Sequence, residues 1–168
     1  LNSEIARVLS QKRDPAAIKP LIDMLGHSNW ETVIIEALIT IDPNSMYQAF
    51  EHPNQDIRHG AWHRLAFSDI QFTIKKEYLE KYFNRFKDDT YCISNGLRVF
   101  SKSNPNSLVY FLNHENPSVE RGAIELLENY NSNYYRTNHK LDLDFKKLML
   151  PYIDDSDPGV RMAALSAL

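Results

Sequence analysis

Residues 13–42, RDPAAIKPLIDMLGHSNWETVIIEALITID, contain two apolar segments separated by a short polar turn. Asp14 followed by Pro15 is the usual order of a helix N-cap and a first helical residue, and Gly26 is a residue type that commonly ends a helix. In the second segment, apolar residues recur at the spacing of one side of a helix. The stretch therefore predicts two consecutive helices joined by a turn.

The second of these helices recurs along the chain as a nine-residue pattern. The pattern has an aliphatic residue first, alanine fifth, a large apolar residue sixth, and isoleucine or leucine ninth. Four segments fit it: VIIEALITI at 33–41, IRHGAWHRL at 57–65, VERGAIELL at 119–127 and VRMAALSAL at 160–168. CISNGLRVF at 92–100 fits with Gly96 in place of alanine, and LNSEIARVL at 1–9 fits weakly. Because these apolar positions share one side of a helix, the pattern predicts a series of packed helices.

Partner helices are predicted between these segments, near 44–51, 74–87, 105–113 and 143–153. The connecting turns are rich in proline, asparagine and aspartate, which stop one helix and open the next. The nine-residue segments begin 24 to 41 residues apart, and an insertion at 129–140 accounts for the longest spacing. No useful stretch alternates apolar and polar residues, so we expect no strands. Because a lone helix pair cannot bury its apolar face, we predict a stack of about five pairs plus a leading half-repeat.

Residues 13–42 resemble a HEAT repeat of the short bacterial kind, which is also found in phycobilin-lyase-related proteins. DDSDPGVRMAALSAL at 154–168 resembles the most typical form of the second half of such a repeat, and 52–66 and 115–127 are looser matches. The resemblance implies an all-α fold, a right-handed α–α superhelix with first helices outside and second helices lining a concave face. It also implies one HEAT-like domain over 1–168, which we expect to be a segment of a longer array.

The HEAT family consists mostly of scaffolds, adaptors and binding modules, with a few enzymes among them, so the resemblance implies no reaction. Paired catalytic carboxylates, a glycine-rich phosphate loop and a Ser-His-Asp signature cannot be picked out of the sequence. We therefore expect a protein–protein interaction scaffold without catalytic residues, cofactor or metal.

Charge and hydropathy narrow the classes of partner. The 168 residues carry a net charge of −3, which gives no overall attraction to nucleic acid or to an anionic membrane. No apolar run approaches the roughly 20 residues that span a bilayer, and the start of the chain lacks the apolar region of a signal peptide. The single cysteine, Cys92, fits a reducing compartment. We expect a cytoplasmic protein that binds another protein rather than nucleic acid, a membrane or a small molecule.

The third and seventh positions of each second helix are expected to face the concave surface and to bind the partner. These positions are occupied by Ile35, Ile39, His59, His63, Ser94, Arg98, Arg121, Glu125, Met162 and Ser166. Ile35 and Ile39 would form an apolar patch, which marks a partner site unless a preceding helix covers it. The chemistry of the row is mixed, so it does not resemble a continuous track for phosphates.

The insertion and two arginines give further candidates. Tyr130, Tyr134, Tyr135 and Arg136 in the insertion are residue types that anchor interfaces, and the alternative is tyrosine rings folded onto the stack. Arg58 and Arg161 follow the first position of their segments. By the family resemblance they bond turn carboxylates, with Asp155 and Asp157 as the partners of Arg161.

Three other interpretations remain open at the level of sequence. His59 and His63 have the spacing of two zinc ligands, with His27 or His52 as a third, although no glutamate follows the first histidine. The helix at 75–87 interleaves basic and aromatic residues, as some nucleic-acid-binding surfaces do. Trp30 and Trp62 are residue types used by HEAT-like DNA glycosylases, although the alignment places Trp62 in the core. A lyase role on a tetrapyrrole is suggested only by the related short repeats.

Overall fold

A computed structural model of the chain describes residues 2–26, 31–132, 141 and 143–168. These residues form helices and turns, with no strand among them. Every helix in this described part is too short or too polar to span a bilayer. The backbone divides into two compact units, Leu1–Phe72 and Thr73–Leu168, here called unit 1 and unit 2.

Unit 1 contains α1 and two helix pairs. The helices are α1 (Asn2–Lys12), α2 (Ile18–Asp23, extended at its start by a 3₁₀ turn at Pro15–Ala17), α3 (Glu31–Ile41), α4 (Ser45–Phe50) and α5 (Gln55–Phe67). Helix α3 packs against α1, α2, α4 and α5, and α4 also packs against α5. The predicted helices at 44–51 and 57–65 are therefore confirmed as α4 and α5, and the first of them is only six residues long.

The core of unit 1 is built on a stacked aromatic pair. The rings of Phe50 and Trp62 lie 3.8 Å apart at an interplanar angle of 11°, and both side chains have no exposed surface. Aliphatic side chains from α3, such as Ile34 and Leu38, are equally buried. The core position predicted for Trp62 is confirmed, which leaves its ring out of reach of a ligand at the surface.

Unit 2 contains α6 (Lys76–Arg85), α7 (Thr90–Ser101), the 3₁₀ helix Pro105–Phe111, α8 (Pro117–Asn131), α9 (Phe145–Met149, continued by a 3₁₀ turn at Leu150–Tyr152) and α10 (Pro158–Ser166). Helix α8 packs against α7, α10 and the 3₁₀ helix. The predicted helix positions are confirmed, but the first helix near 105–113 is wound as a 3₁₀ helix. Phe83, Leu97, Phe111 and Ile124 fill the core.

The turns before α5, α8 and α10 share one arrangement of hydrogen bonds. A side-chain oxygen of Asn54, Asn116 or Asp157 accepts the backbone N–H of the residue two positions later, at 2.8 to 2.9 Å. Two residues before each cap, another side chain accepts the N–H of the cap itself: His52 Nδ1, His114 Nδ1 or Asp155 Oδ1. These acceptors satisfy N–H groups that a helix start would otherwise leave unpaired.

Arginines close two of these turns, by a route different from the predicted one. Arg161 Nη1 donates to the carbonyl oxygens of Asp155 (2.7 Å) and Ser156 (3.0 Å). Arg58 Nη1 donates in the same way to the carbonyl oxygens of His52 (2.9 Å) and Pro53 (3.1 Å).

The prediction that Arg161 uses the carboxylates of the turn is therefore wrong. The carboxylate oxygens Asp155 Oδ1 and Asp157 Oδ1 already accept backbone N–H groups.

Gly26, in the turn that follows α2, lies where only glycine fits. Its φ of +82° falls in the left-handed region, and a Cβ added there would come within 2.6 Å of the carbonyl oxygen of Asp56 at the start of α5. The opposing Gly60 is similarly close, since its added Cβ would lie 2.9 Å from the backbone nitrogen of Gly26. The two glycines permit a backbone-to-backbone contact between this turn and α5.

We expect Gly26→Ala to lower the free energy of unfolding by about 2 kcal/mol or more, because it adds both a strained φ and a clash with rigid backbone. Gly159→Ala is the matched control, since the nearest atoms there belong to the side chains of Arg121 and Asp157, and its loss is expected to stay below about 1 kcal/mol. Urea denaturation followed by circular dichroism measures both. Equal losses in the two variants would contradict this account of Gly26.

Candidate functional site

The predicted binding residues on α3 are less accessible than expected. Ile35 has no exposed surface, and Ile39 is half-buried. Of the two alternatives for these residues, the burial of Ile35 contradicts an exposed patch. It fits a patch covered by a preceding helix, since α1 packs against α3. The exposed side of α3 instead carries Glu36 and Thr40.

The histidines on α5 are accessible and already in contact with neighbours on the same helix. His59 and His63 are both half-buried. His59 Nε2 lies 3.2 Å from Gln55 Nε2, and the ring of His63 lies 4.8 Å from that of Phe67. The two imidazoles therefore belong to a surface row that continues to Phe67, whose side chain is 60% exposed.

Unit 2 presents the remaining predicted residues at its surface. Ser94 and Arg98 on α7 are half-buried. On α8, Arg121 Nε lies 3.7 Å from Glu125 Oε1, so these two opposite charges pair with each other. Met162 on α10 is 69% exposed, and Leu165, one turn further on, is 60% exposed. Met162 and Leu165 are thus exposed apolar side chains, in contrast to Ile35.

The tyrosines predicted to act in the insertion differ in position. Tyr130 is buried in α8, and its hydroxyl lies 3.2 Å from Ser101 Oγ. Its predicted role as a loop contact is therefore wrong, because α8 continues to Asn131 and turns this ring toward α7. Tyr134, Tyr135 and Arg136 lie outside the described residues, as do Trp30 and His27.

Unit 1 contains a concave site at its surface. It lies between the exposed side of α3 and the end of α5, and its volume is about 460 Å³. Its walls include Thr32 and Glu36 from α3, Arg64 and Phe67 from α5, and Asp69 and Ile70 from the segment that follows α5. We call this the α3–α5 groove.

The charge of Arg64 is neutralised beside the groove. Arg64 Nε donates to Glu31 Oε2 at 2.6 Å, and Glu31 Oε1 accepts the backbone N–H of Gly26 at 3.2 Å. The Glu31 side chain is only 12% exposed, which makes this a partly buried, charge-assisted pair. The pair fixes the start of α3 against α5 and leaves Glu36 and Asp69 as the remaining charges of the α3–α5 groove.

Sequence reasoning missed this groove. Glu36 and Arg64 occupy positions of the nine-residue pattern that were not assigned to the binding surface, and the other lining residues fall outside the pattern. One signal was available: Phe67 follows His63 by four residues, so it continues the same face of α5 beyond the last patterned position. Its neighbours Ser68, Asp69 and Ile70 lie beyond the helix and could not be placed from periodicity.

A second concave region lies in unit 2 between the turn before α7 and the turn before α8. Asn116 Nδ2 donates to the carbonyl oxygen of Lys87 at 3.0 Å and ties the two turns together. The lining includes Lys87 together with Asp88 and Glu115, so charges of both signs meet there. Because its central amide is used to join the turns, we regard this region as structural.

Glu120 is a buried carboxyl group that the sequence did not single out. It is 8% exposed, and burial, together with the nearby charges of Asp155 and Asp157, raises the pKa of Glu120 to about 7. In the aligned segments it occupies the second position, where Arg58 and Arg161 stand in their own helices. A glutamate at a position that carries arginine in two other segments was the signal in the sequence that its environment is unusual.

Comparison of the chain with protein-family models, with curated proteins and with solved structures finds no match in any of the three.

We expect the stability of the protein to fall as pH rises from about 4.5 to 7 through the contribution of Glu120. In this window folded Glu120 keeps a proton that the unfolded chain has released, because its folded pKa of about 7 exceeds the ordinary 4.5. Glu120→Gln removes this pH-dependent contribution to the free energy of unfolding. The variant should be about 1–2 kcal/mol more stable than the parent at pH 8, after allowance for solvent screening.

The comparison is made by urea denaturation at several pH values. Taking the difference between variant and parent cancels the opposing contribution of His114, whose pKa is lowered by burial. Glu125→Gln, on the exposed side of the same helix, serves as the control and should change stability by less than about 0.5 kcal/mol at every pH. A variant-minus-parent difference that does not vary between pH 4.5 and 8 would show that Glu120 ionises normally.

Proposed function

We propose that this chain is a scaffold that binds a protein partner through the exposed faces of its second helices, α3, α5, α7, α8 and α10. In this proposal the helix pairs stack as a right-handed HEAT-like superhelix. The common arrangement of the turns before α5, α8 and α10 supports a repeated unit, because the same hydrogen bonds recur at equivalent positions of the sequence pattern.

One observation carries the binding proposal. The faces of α5, α7 and α8 opposite the core keep side chains of several chemistries at the surface, including imidazole, guanidinium and carboxylate groups. A face with mixed chemistry suits recognition of a protein, whose surface is itself mixed. The exposed Phe67 and Met162 add apolar contact area, which interfaces use at their centres.

A protein partner fits these observations better than nucleic acid. The basic helix α6 buries Leu79, Tyr82 and Phe83 in the core of unit 2, so the rings of Tyr82 and Phe83 are not presented for stacking on bases. The basic side chains that remain on α6 alternate with Glu77 and Glu80, and Lys76 pairs with Glu80 at 3.3 Å. The helix thus has the character of a solvated outer surface.

Site-specific photo-crosslinking tests the proposal. A benzophenone amino acid is placed at His63, Arg98 or Glu125 in the proposed binding face, and at Gln48 or Lys81 as exposed controls on α4 and α6. In cells that make the protein, we expect protein adducts of discrete mass from the face positions, about tenfold stronger than from the controls. Adducts that disappear on nuclease treatment, or that form equally at the control positions, would count against the proposal.

Charge reversal provides a second measurement on the same face. Arg98→Glu with Arg121→Glu should weaken binding of the crosslinked partner by about tenfold while thermal unfolding of the scaffold changes little. Lys81→Glu with Lys102→Glu makes the same change of net charge elsewhere in unit 2. Equal affinities for the two double variants would place the binding surface outside this face.

A further inference from the structure

The α3–α5 groove is large enough for a bound group. Its volume of about 460 Å³ lies within the roughly 300–1,000 Å³ of typical ligand clefts. The pair between Glu31 and Arg64, at 2.6 Å, joins α3 to α5 beside the groove. A ligand would therefore meet a preformed surface.

The charges in the α3–α5 groove favour a cation. Glu31 neutralises Arg64, which leaves Glu36 and Asp69 as carboxylates of the lining. Both of these side chains are exposed, and neither has an ion-pair partner among the residues that the structure describes. A guanidinium or ammonium group entering the groove would meet two negative charges without displacing an existing partner.

The apolar wall favours a cation that carries a hydrocarbon or planar surface. Phe67 presents 60% of its surface to solvent, and Ile70 in the same groove is half-buried. An arginine side chain stacks on an aromatic face, and a lysine side chain lays its methylene groups along apolar surface while its charge reaches a carboxylate. A bare metal ion has no apolar surface that could pack against this wall.

The net charge of unit 1 also favours binding of a cation. Residues 1–72 contain nine acidic and six basic side chains, whereas residues 73–168 contain thirteen of each. Unit 1 thus carries the entire net charge of −3. Such a field attracts basic segments over distances of about a Debye length and repels the phosphates of nucleic acid.

We propose that the α3–α5 groove binds a lysine- or arginine-containing segment of a protein partner, with Glu36 and Asp69 receiving the cation and Phe67 packing against its side chain. This inference rests on the proposed scaffold function and specifies the chemistry of the partner in unit 1. The cation binds while the Glu31–Arg64 pair remains intact.

Fluorescence anisotropy with a defined probe tests the inference. The probe is a short fluorescein-labelled peptide of glycine, lysine and arginine, compared with a peptide in which glutamate replaces the basic residues. Removing both groove charges with Glu36→Gln and Asp69→Asn should weaken binding of the basic probe by about tenfold or more. Phe67→Ala should weaken it by about threefold through loss of the aromatic contact.

A matched double variant controls for the general field of unit 1. Glu4→Gln with Asp56→Asn makes the same change of charge at two exposed sites outside the groove, and it should weaken binding by less than about twofold. Thermal unfolding by circular dichroism confirms that each variant is folded before its affinity is compared.

Two outcomes would overturn the inference. One is equal weakening by the groove and control double variants, which would mean that the basic peptide senses only the net charge of unit 1. The other is no binding of the basic probe at low salt, where such contacts are strongest. Neither result changes the crosslinking at Arg98 and Glu125, so failure of this inference is distinguishable from failure of the scaffold proposal.

Discussion

The capped turn is the constraint on which both units depend. Asn54, Asn116 and Asp157 each accept a backbone N–H at the start of a second helix, and this fixes both where the helix begins and the direction in which it leaves the turn. The rest of the packing follows from that start. When α5 begins at Gln55, Trp62 points at Phe50 and the two glycines meet. A shift of one residue would turn those side chains away from the core.

The same backbone arrangement is reached with different side chains. Histidine at 52 and 114 and aspartate at 155 all accept the N–H of the following cap, while Arg58 and Arg161 bind the carbonyl groups of two of the turns. At the third turn, the one before α8, Glu120 occupies the position of these arginines. When ionised, its carboxylate has no proton to donate to the carbonyl groups of the turn. Burial of this carboxyl group and the nearby charges of Asp155 and Asp157 raise its pKa.

The sequence predicted what depends on local periodicity and little of what depends on neighbours. Helix positions, the short α4 and the core position of Trp62 follow from spacing within one segment. Ile35 is buried on α3, which packs against the separate helix α1, and Tyr130 is buried with its hydroxyl 3.2 Å from Ser101 Oγ in α7. The α3–α5 groove combines one face of α3 with residues beyond the end of α5. No single-helix pattern contains that information, because the groove exists only once the helices have packed.

The shortness of the first helices has a consequence for how the chain folds. Helix α4 has six residues, α9 has five, and the helix from Pro105 to Phe111 is a 3₁₀ helix, all well below the roughly 12–15 residues at which an isolated helix becomes marginally stable in water. These segments can persist only after a second helix offers a surface to pack on. We therefore expect folding to nucleate within α5, α7 and α8, with the first helices condensing onto them and opening first in native-state hydrogen exchange.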